Sequence, residues 1–147
     1  MRIYLPSSLD ELSASDLAPR VVHAVTSGLR AALPDEDEEG LEYAAQLLAA
    51  DDSLDRPGAG DRRVVVAADV PEALVESLED ADDGTAPSAV RLTARVTWDA
   101  VACAHVDEAA AEPDVRAARG GDDAAAERLA ERDLLWYDVS ELAGLAR

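Results

Sequence analysis

Cys103, His105 and Asp107 stand two residues apart, with Glu108 following, at the end of an apolar run. If that run is a strand, alternate side chains share one face, so a thiol, an imidazole and a carboxylate point the same way. Such groups bind Zn²⁺ or activate a thiol nucleophile. Same-face residues repeat roughly 7 Å apart along a strand, which is long for two ligands of one ion. A core cysteine, a half-buried histidine and a strand-ending aspartate account for the same residues. The only two histidines, His23 and His105, fall in different apolar runs; brought together with Asp107 or Asp69 they would form a metal or acid/base site.

Asp69 and Asp138 form a second candidate. Each follows a strand-like run and opens a D-x-x-E pattern. In open α/β sheets, ligands bind beyond the carboxyl ends of the strands. Two carboxylates there could hold a cation or act in general acid/base catalysis. The same pattern is also a helix capping box, which explains both residues without a ligand. Trp136 and Tyr137 are adjacent in a chain with 3% aromatic residues and no Phe. Neighbours on a strand face opposite ways, so one belongs to the core and the other to the surface, where exposed aromatics mark binding sites.

Strands and helices must alternate to position these residues. Arg2–Leu5, Arg20–Thr26, Arg63–Ala68, Val90–Thr97, a run ending at Val106, and Leu134–Tyr137 read as strands. Arg63–Ala68 is continuously apolar, as in a strand buried on both faces, whereas Val90–Thr97 alternates and shows arginines to water. Helices are expected at Ser8–Leu17, from Thr26 or Ser27 to Leu33, Glu38–Leu54, Asp69–Glu79, Glu112–Arg119, Asp122–Arg132 and after Asp138. The last two Ala-rich segments before Leu134 lack large apolar residues and should dock loosely. Ser8, Asp69 and Asp138 each lead a strand into a capping box. The pattern predicts one α/β domain over residues 1–147, with a mixed sheet of five or six strands and packed helices; a ferredoxin-like α+β fold is the alternative.

Composition narrows the function. The net charge is −19, and every basic residue is Arg. This pattern has two readings: a GC-rich coding bias, which is favoured, and adaptation to high salt, where an acidic surface keeps a protein soluble. Phosphate neutralisation requires basic residues, so nucleic acid is disfavoured as a partner, as are anionic membrane surfaces. A basic protein partner, a cationic ligand or a metal fits the charge. One cysteine permits no intrachain disulfide. The opening residues lack a signal-peptide core and no apolar run reaches the ~20 residues of a membrane helix, so a cytoplasmic protein is expected. The acidic runs at Asp35–Glu39 and around Asp80, Asp82 and Asp83 lack calcium-loop spacing. Gly58-Ala59-Gly60 is no phosphate loop, and Ser7-Ser8 is no nucleophile elbow.

The opening MRIYLPSSLDEL, the strand RRVVVAADVP and the ending DLLWYDVSEL, with LEYAAQLLA and AHVDEAAAEPDV between, resemble a family of short acidic actinobacterial proteins of unknown function. The resemblance spans most of the chain and implies a cytoplasmic bacterial protein. It brings no activity, cofactor or catalytic residue. The reading favoured on these grounds is a small non-enzymatic interaction or regulatory protein, with no cofactor, whose acidic surface meets a basic partner. The alternative is a small-molecule-binding domain or enzyme with its site near Asp69 and Asp138, where His105 and Asp107 would be further ligand candidates.

Overall fold

The computed structural model describes residues 1–56, 58–78 and 84–146. Seven strands form one sheet: β1 (Arg2–Ser7), β2 (Val21–His23), β3 (Val64–Asp69), β4 (Val75–Ser77), β5 (Ala89–Leu92), β6 (Val101–Val106) and β7 (Leu135–Asp138). Their order is β4-β5-β2-β1-β3-β6-β7. Five α-helices accompany them: α1 (Ser27–Ala32), α2 (Glu38–Asp55), α3 (Glu112–Arg119), α4 (Asp123–Ala130) and α5 (Leu142–Leu145). The class is α/β as expected, with more strands than the five or six read from sequence. The pairings are all antiparallel, so the mixed sheet is corrected to an antiparallel one. An apolar run reports only that both faces are covered, not which way its neighbours run.

Both faces are covered. Along β1 and β3, Ile3, Leu5, Val64, Val66 and Ala68 point to one side, where they meet Leu12, Leu17 and Leu142. Tyr4, Val65 and Ala67 point to the other, against Leu41, Ala45 and Ala49 of α2. Helical elements on both sides exclude the one-sided ferredoxin-like arrangement. With no Phe in the chain, small side chains fill the seat of α2 and let the helix lie close to the strands. α3 and α4 pack on each other through Ala111, Val115 and Leu129, with Leu54 of α2 alongside. They form a satellite cluster, in keeping with their lack of large apolar residues.

Local signals were answered unequally. Asp37 caps α2 through the Gly40 N–H at 2.9 Å, and Thr26 caps α1 through the Leu29 N–H at 3.0 Å. Asp138 forms the full capping box with Glu141. At the other two sites distant arginines took the carboxylates. Glu11 accepts from Arg20 at 2.6 Å and from the Ser7 hydroxyl at 2.5 Å, and only a 3₁₀ turn at Asp10–Ser13 forms, without a side-chain cap. Asp69 stays in β3, bound to Arg2, and a 3₁₀ turn at Glu72–Leu74 then leads into β4. The β-branched Val75 pairs there with Leu92, so the helix expected to Glu79 is replaced by an edge strand; Glu79 itself, and the acidic stretch with Asp80, Asp82 and Asp83, lie outside the described residues.

A buried ion pair clamps the central strands. Asp107 is fully buried and accepts from Arg63 Nε at 2.8 Å, Arg63 Nη2 at 2.9 Å and the Arg63 backbone N–H at 2.9 Å. Arg63 also reaches the Arg132 carbonyl beyond α4 at 3.3 Å. Removing one partner of such a pair strands the other charge without water. Asp107→Ala is therefore expected to lower unfolding free energy by about 3–5 kcal/mol, measured by urea denaturation. A loss below about 1 kcal/mol, the range of an exposed pair, would show that water reaches the clamp.

Candidate functional site

α2 crosses one face of the sheet and leaves a cleft between itself and β6–β7. The sheet supplies the floor in register. Tyr4 pairs with Ala67, Ala67 with Cys103, and Cys103 with Asp138. One step along the same face, Pro6, Val65, His105 and Trp136 form the next row. α2 supplies the wall with Glu39, Glu42, Tyr43 and Gln46, and the resulting cleft has a volume of about 330 Å³. It continues into a depression of about 350 Å³ that adds Leu47, Asp133 and Leu134. Tyr43 bridges the two walls by donating to Asp133 at 2.7 Å.

Cys103 and His105 do share this face. Their side chains lean together, with Cys103 Sγ 3.7 Å from His105 Nε2, closer than the backbone step suggests. Their electrostatics oppose an activated thiol. Burial pushes the Cys103 thiol up, despite a hydrogen bond from Trp136. Burial, with Arg2 nearby, pulls His105 down. Both groups are thereby held neutral, whereas a thiolate–imidazolium pair needs the reverse shifts. Asp107 is not available to them, since both of its oxygens are committed to Arg63.

Asp69 and Asp138 lie at the same end of the sheet. β3 and β7 flank β6 antiparallel on either side, so they run the same way, two strand spacings or roughly 10 Å apart. Each carboxylate has a structural partner. Asp69 receives Arg2 Nε at 2.8 Å and Nη2 at 3.0 Å, and this hydrogen-bonded pairing holds it below the usual carboxylate range. Asp138 accepts from Ser140 Oγ at 2.6 Å and Ser140 N at 3.0 Å, which lowers it likewise. His23 and His105 are kept apart: β1 and β3 stand between their strands, a separation of roughly 14 Å. Among the described residues, no group of three or more His, Cys, Asp and Glu is placed to hold a metal ion.

The aromatic residues are better gathered than the acids. Trp136 is 60% exposed and Tyr43 47%, while Tyr137 packs against the core on the opposite face. Tyr4 forms the inner end of the cleft, and burial together with Glu42 pushes its hydroxyl up to about 12. Sequence reasoning identified Trp136 but not Tyr43 or Gln46, whose helical spacing gave no hint of the strand they face. Trp98, the other tryptophan, is remote from this cleft and donates to the Ala14 carbonyl at 2.7 Å.

With this geometry established, comparison with known proteins places the chain. It belongs to DUF6912, a family of unknown function, whose model matches residues 1–146. No curated protein and no solved structure matches it. No helix among the described residues is long and apolar enough to cross a membrane.

The thiol chemistry is directly measurable. Alkylation of Cys103 by iodoacetamide is expected to be slower at pH 7 than that of free cysteine. Its rate should rise with a midpoint above the ordinary thiol value of about 8.5, because only the thiolate reacts. A midpoint below that value would restore the activated-thiol reading of Cys103 and His105.

Proposed function

We propose that the protein is a non-enzymatic recognition module that receives a cationic side chain of a basic protein partner in the cleft between α2 and β7. The observation that carries this reading is the meeting of Tyr4, Tyr43 and Trp136 with Glu39 and Glu42 in one opening. Aromatic faces carry partial negative charge and attract cations, with tryptophan the strongest. The carboxylates add long-range attraction, which a net charge of −19 extends over the whole surface. Arg2 does not cancel it, since Asp69 neutralises that guanidinium in place. Two neutral groups, Cys103 and His105, make the floor polarisable without adding repulsion.

The alternative, a small-molecule or enzymatic site centred on Asp69 and Asp138, is supported by their shared end of the sheet. It is weakened by the arginine and the cap that already occupy them. The cytoplasmic setting expected from sequence is compatible with either reading.

The test is calorimetric titration with a lysine-containing basic peptide and with the same peptide acetylated on its lysines. The unmodified peptide should bind, the acetylated one should not, and Trp136→Ala should weaken binding roughly tenfold, the equivalent of a partly desolvated cation–π contact. Binding should weaken with salt yet persist at about 0.5 M, where screening removes most diffuse attraction. Equal affinity of Trp136→Ala and wild type would remove the cleft from the explanation and leave only an acidic surface.

A further inference from the structure

On the other side of α2, a pocket of about 320 Å³ opens between β2, β5 and the last turns of the helix, within the range of small-molecule sites. Val21 and Ala89 form part of its lining, and His23 reaches it from below. His23 is 2% exposed and hydrogen-bonded at both ring nitrogens, Nδ1 to Ser88 Oγ at 2.7 Å and Nε2 to Asp52 Oδ2 at 2.6 Å. A carboxylate accepts only, so Nε2 carries hydrogen toward Asp52, and a neutral ring then accepts the Ser88 hydroxyl hydrogen at Nδ1. This order resembles a Ser-His-Asp relay, but Ser88 is fully buried and does not reach the pocket as a nucleophile. The group that does reach the pocket is Asp52, whose side chain is half exposed and whose second oxygen has no partner among the described residues.

Arg91 lines the same pocket. Among the described residues, the guanidinium groups of Arg56 and Arg91 alone lack a carboxylate within ion-pair distance. In a chain of 32 acids and 13 bases, a guanidinium at a pocket wall with no carboxylate partner among the described residues is an anion receptor. Glu76 stands opposite Arg91 across the β4–β5 ladder without pairing to it. The register sets the spacing. His23 pairs with Ala89 and Val21 with Arg91, so Arg91 is the diagonal cross-strand neighbour, roughly 7–8 Å away, of the histidine that fixes Asp52. A carboxylate and an ammonium on one small molecule can span a receptor of that length.

We propose that this pocket binds a small zwitterion of the α-amino acid class, its carboxylate on Arg91 and its ammonium on Asp52, with His23 and Ser88 as positioning residues that hold Asp52 in place. The site is independent of the cleft at Trp136. The test is NMR titration of the full chain with a panel of free α-amino acids, following the His23 imidazole, beside glycinamide and acetate as single-charge probes. At least one amino acid should give a saturable shift, and both single-charge probes should bind at least tenfold more weakly. Arg91→Gln, an exposed position whose loss leaves the core intact, should cut the amino acid's affinity roughly tenfold, the worth of one charge-assisted pair. Asp52→Asn should do the same while Trp136→Ala leaves it unchanged. No saturable shift with any amino acid, acetate binding as tightly as the zwitterion, or undiminished binding by Arg91→Gln would each overturn the proposal.

Discussion

The close seating of α2 on the sheet is the constraint on which the rest of the structure depends. Ala45 and Ala49 meet Val65, Ala67 and Cys103, and small side chains on both surfaces hold the helix low over the strands. A helix seated this way cannot cover a seven-stranded sheet. It leaves an opening along each flank: toward β6 and β7 on one side, toward β2 and β5 on the other. Its N-terminal half contributes Glu39, Glu42 and Tyr43 to the first opening, and its C-terminal half contributes Asp52 to the second. Ser53 anchors the helix, donating to the Ser7 carbonyl at 2.8 Å and accepting from the Val64 N–H at 3.0 Å. The two candidate recognition surfaces thus share one structural cause.

Charge is organised as well as abundant. Arginine is scarce relative to acid and is spent on specific bridges. Arg63 clamps Asp107 at the end of the β3–β6 pair, Arg20 holds Glu11 beside β1, and Arg2 ties β1 to the end of β3. The buried pair is costly to desolvate, and its attraction and hydrogen bonds offset that cost rather than add much net stability. The exposed pairs add little individually. Once the guanidinium groups are placed, the remaining acids stay unneutralised at the surface, and the walls of the Trp136 cleft inherit that sign.

Much of the scaffold was legible because its signals are local. The run Val64-Val65-Val66-Ala67-Ala68 announces burial on both faces, and Asp37 and Thr26 announce their helices. The paired positions Cys103 and His105 were readable as one face of a strand. Strand direction was not readable, because it depends on partners remote in sequence. The same limit explains the capping boxes. Asp69 and Asp138 open identical patterns, and only the second caps a turn, because Arg2, 67 positions from Asp69, claims the first. Sites built across elements were the least visible. His23 stood out as one of two histidines, yet its partners come from a helix and a loop, Asp52 and Ser88. Tyr43 carried no mark of the tryptophan it faces.

The tight interface beneath α2 also separates what can change from what cannot. Ala45, Ala49 and Ala67 have no relative exposure, so any larger side chain there must lift the helix and distort both flanks together. Tyr43, Gln46, Trp136 and Arg91 stand at the margins of the two openings, outside that contact. Their replacement alters chemistry presented to solvent without altering the distance between helix and sheet. The architecture is therefore modular in an evolutionary sense: side chains can be varied at the rims while the foundation is held constant, and one flank can diverge while the other is conserved in shape.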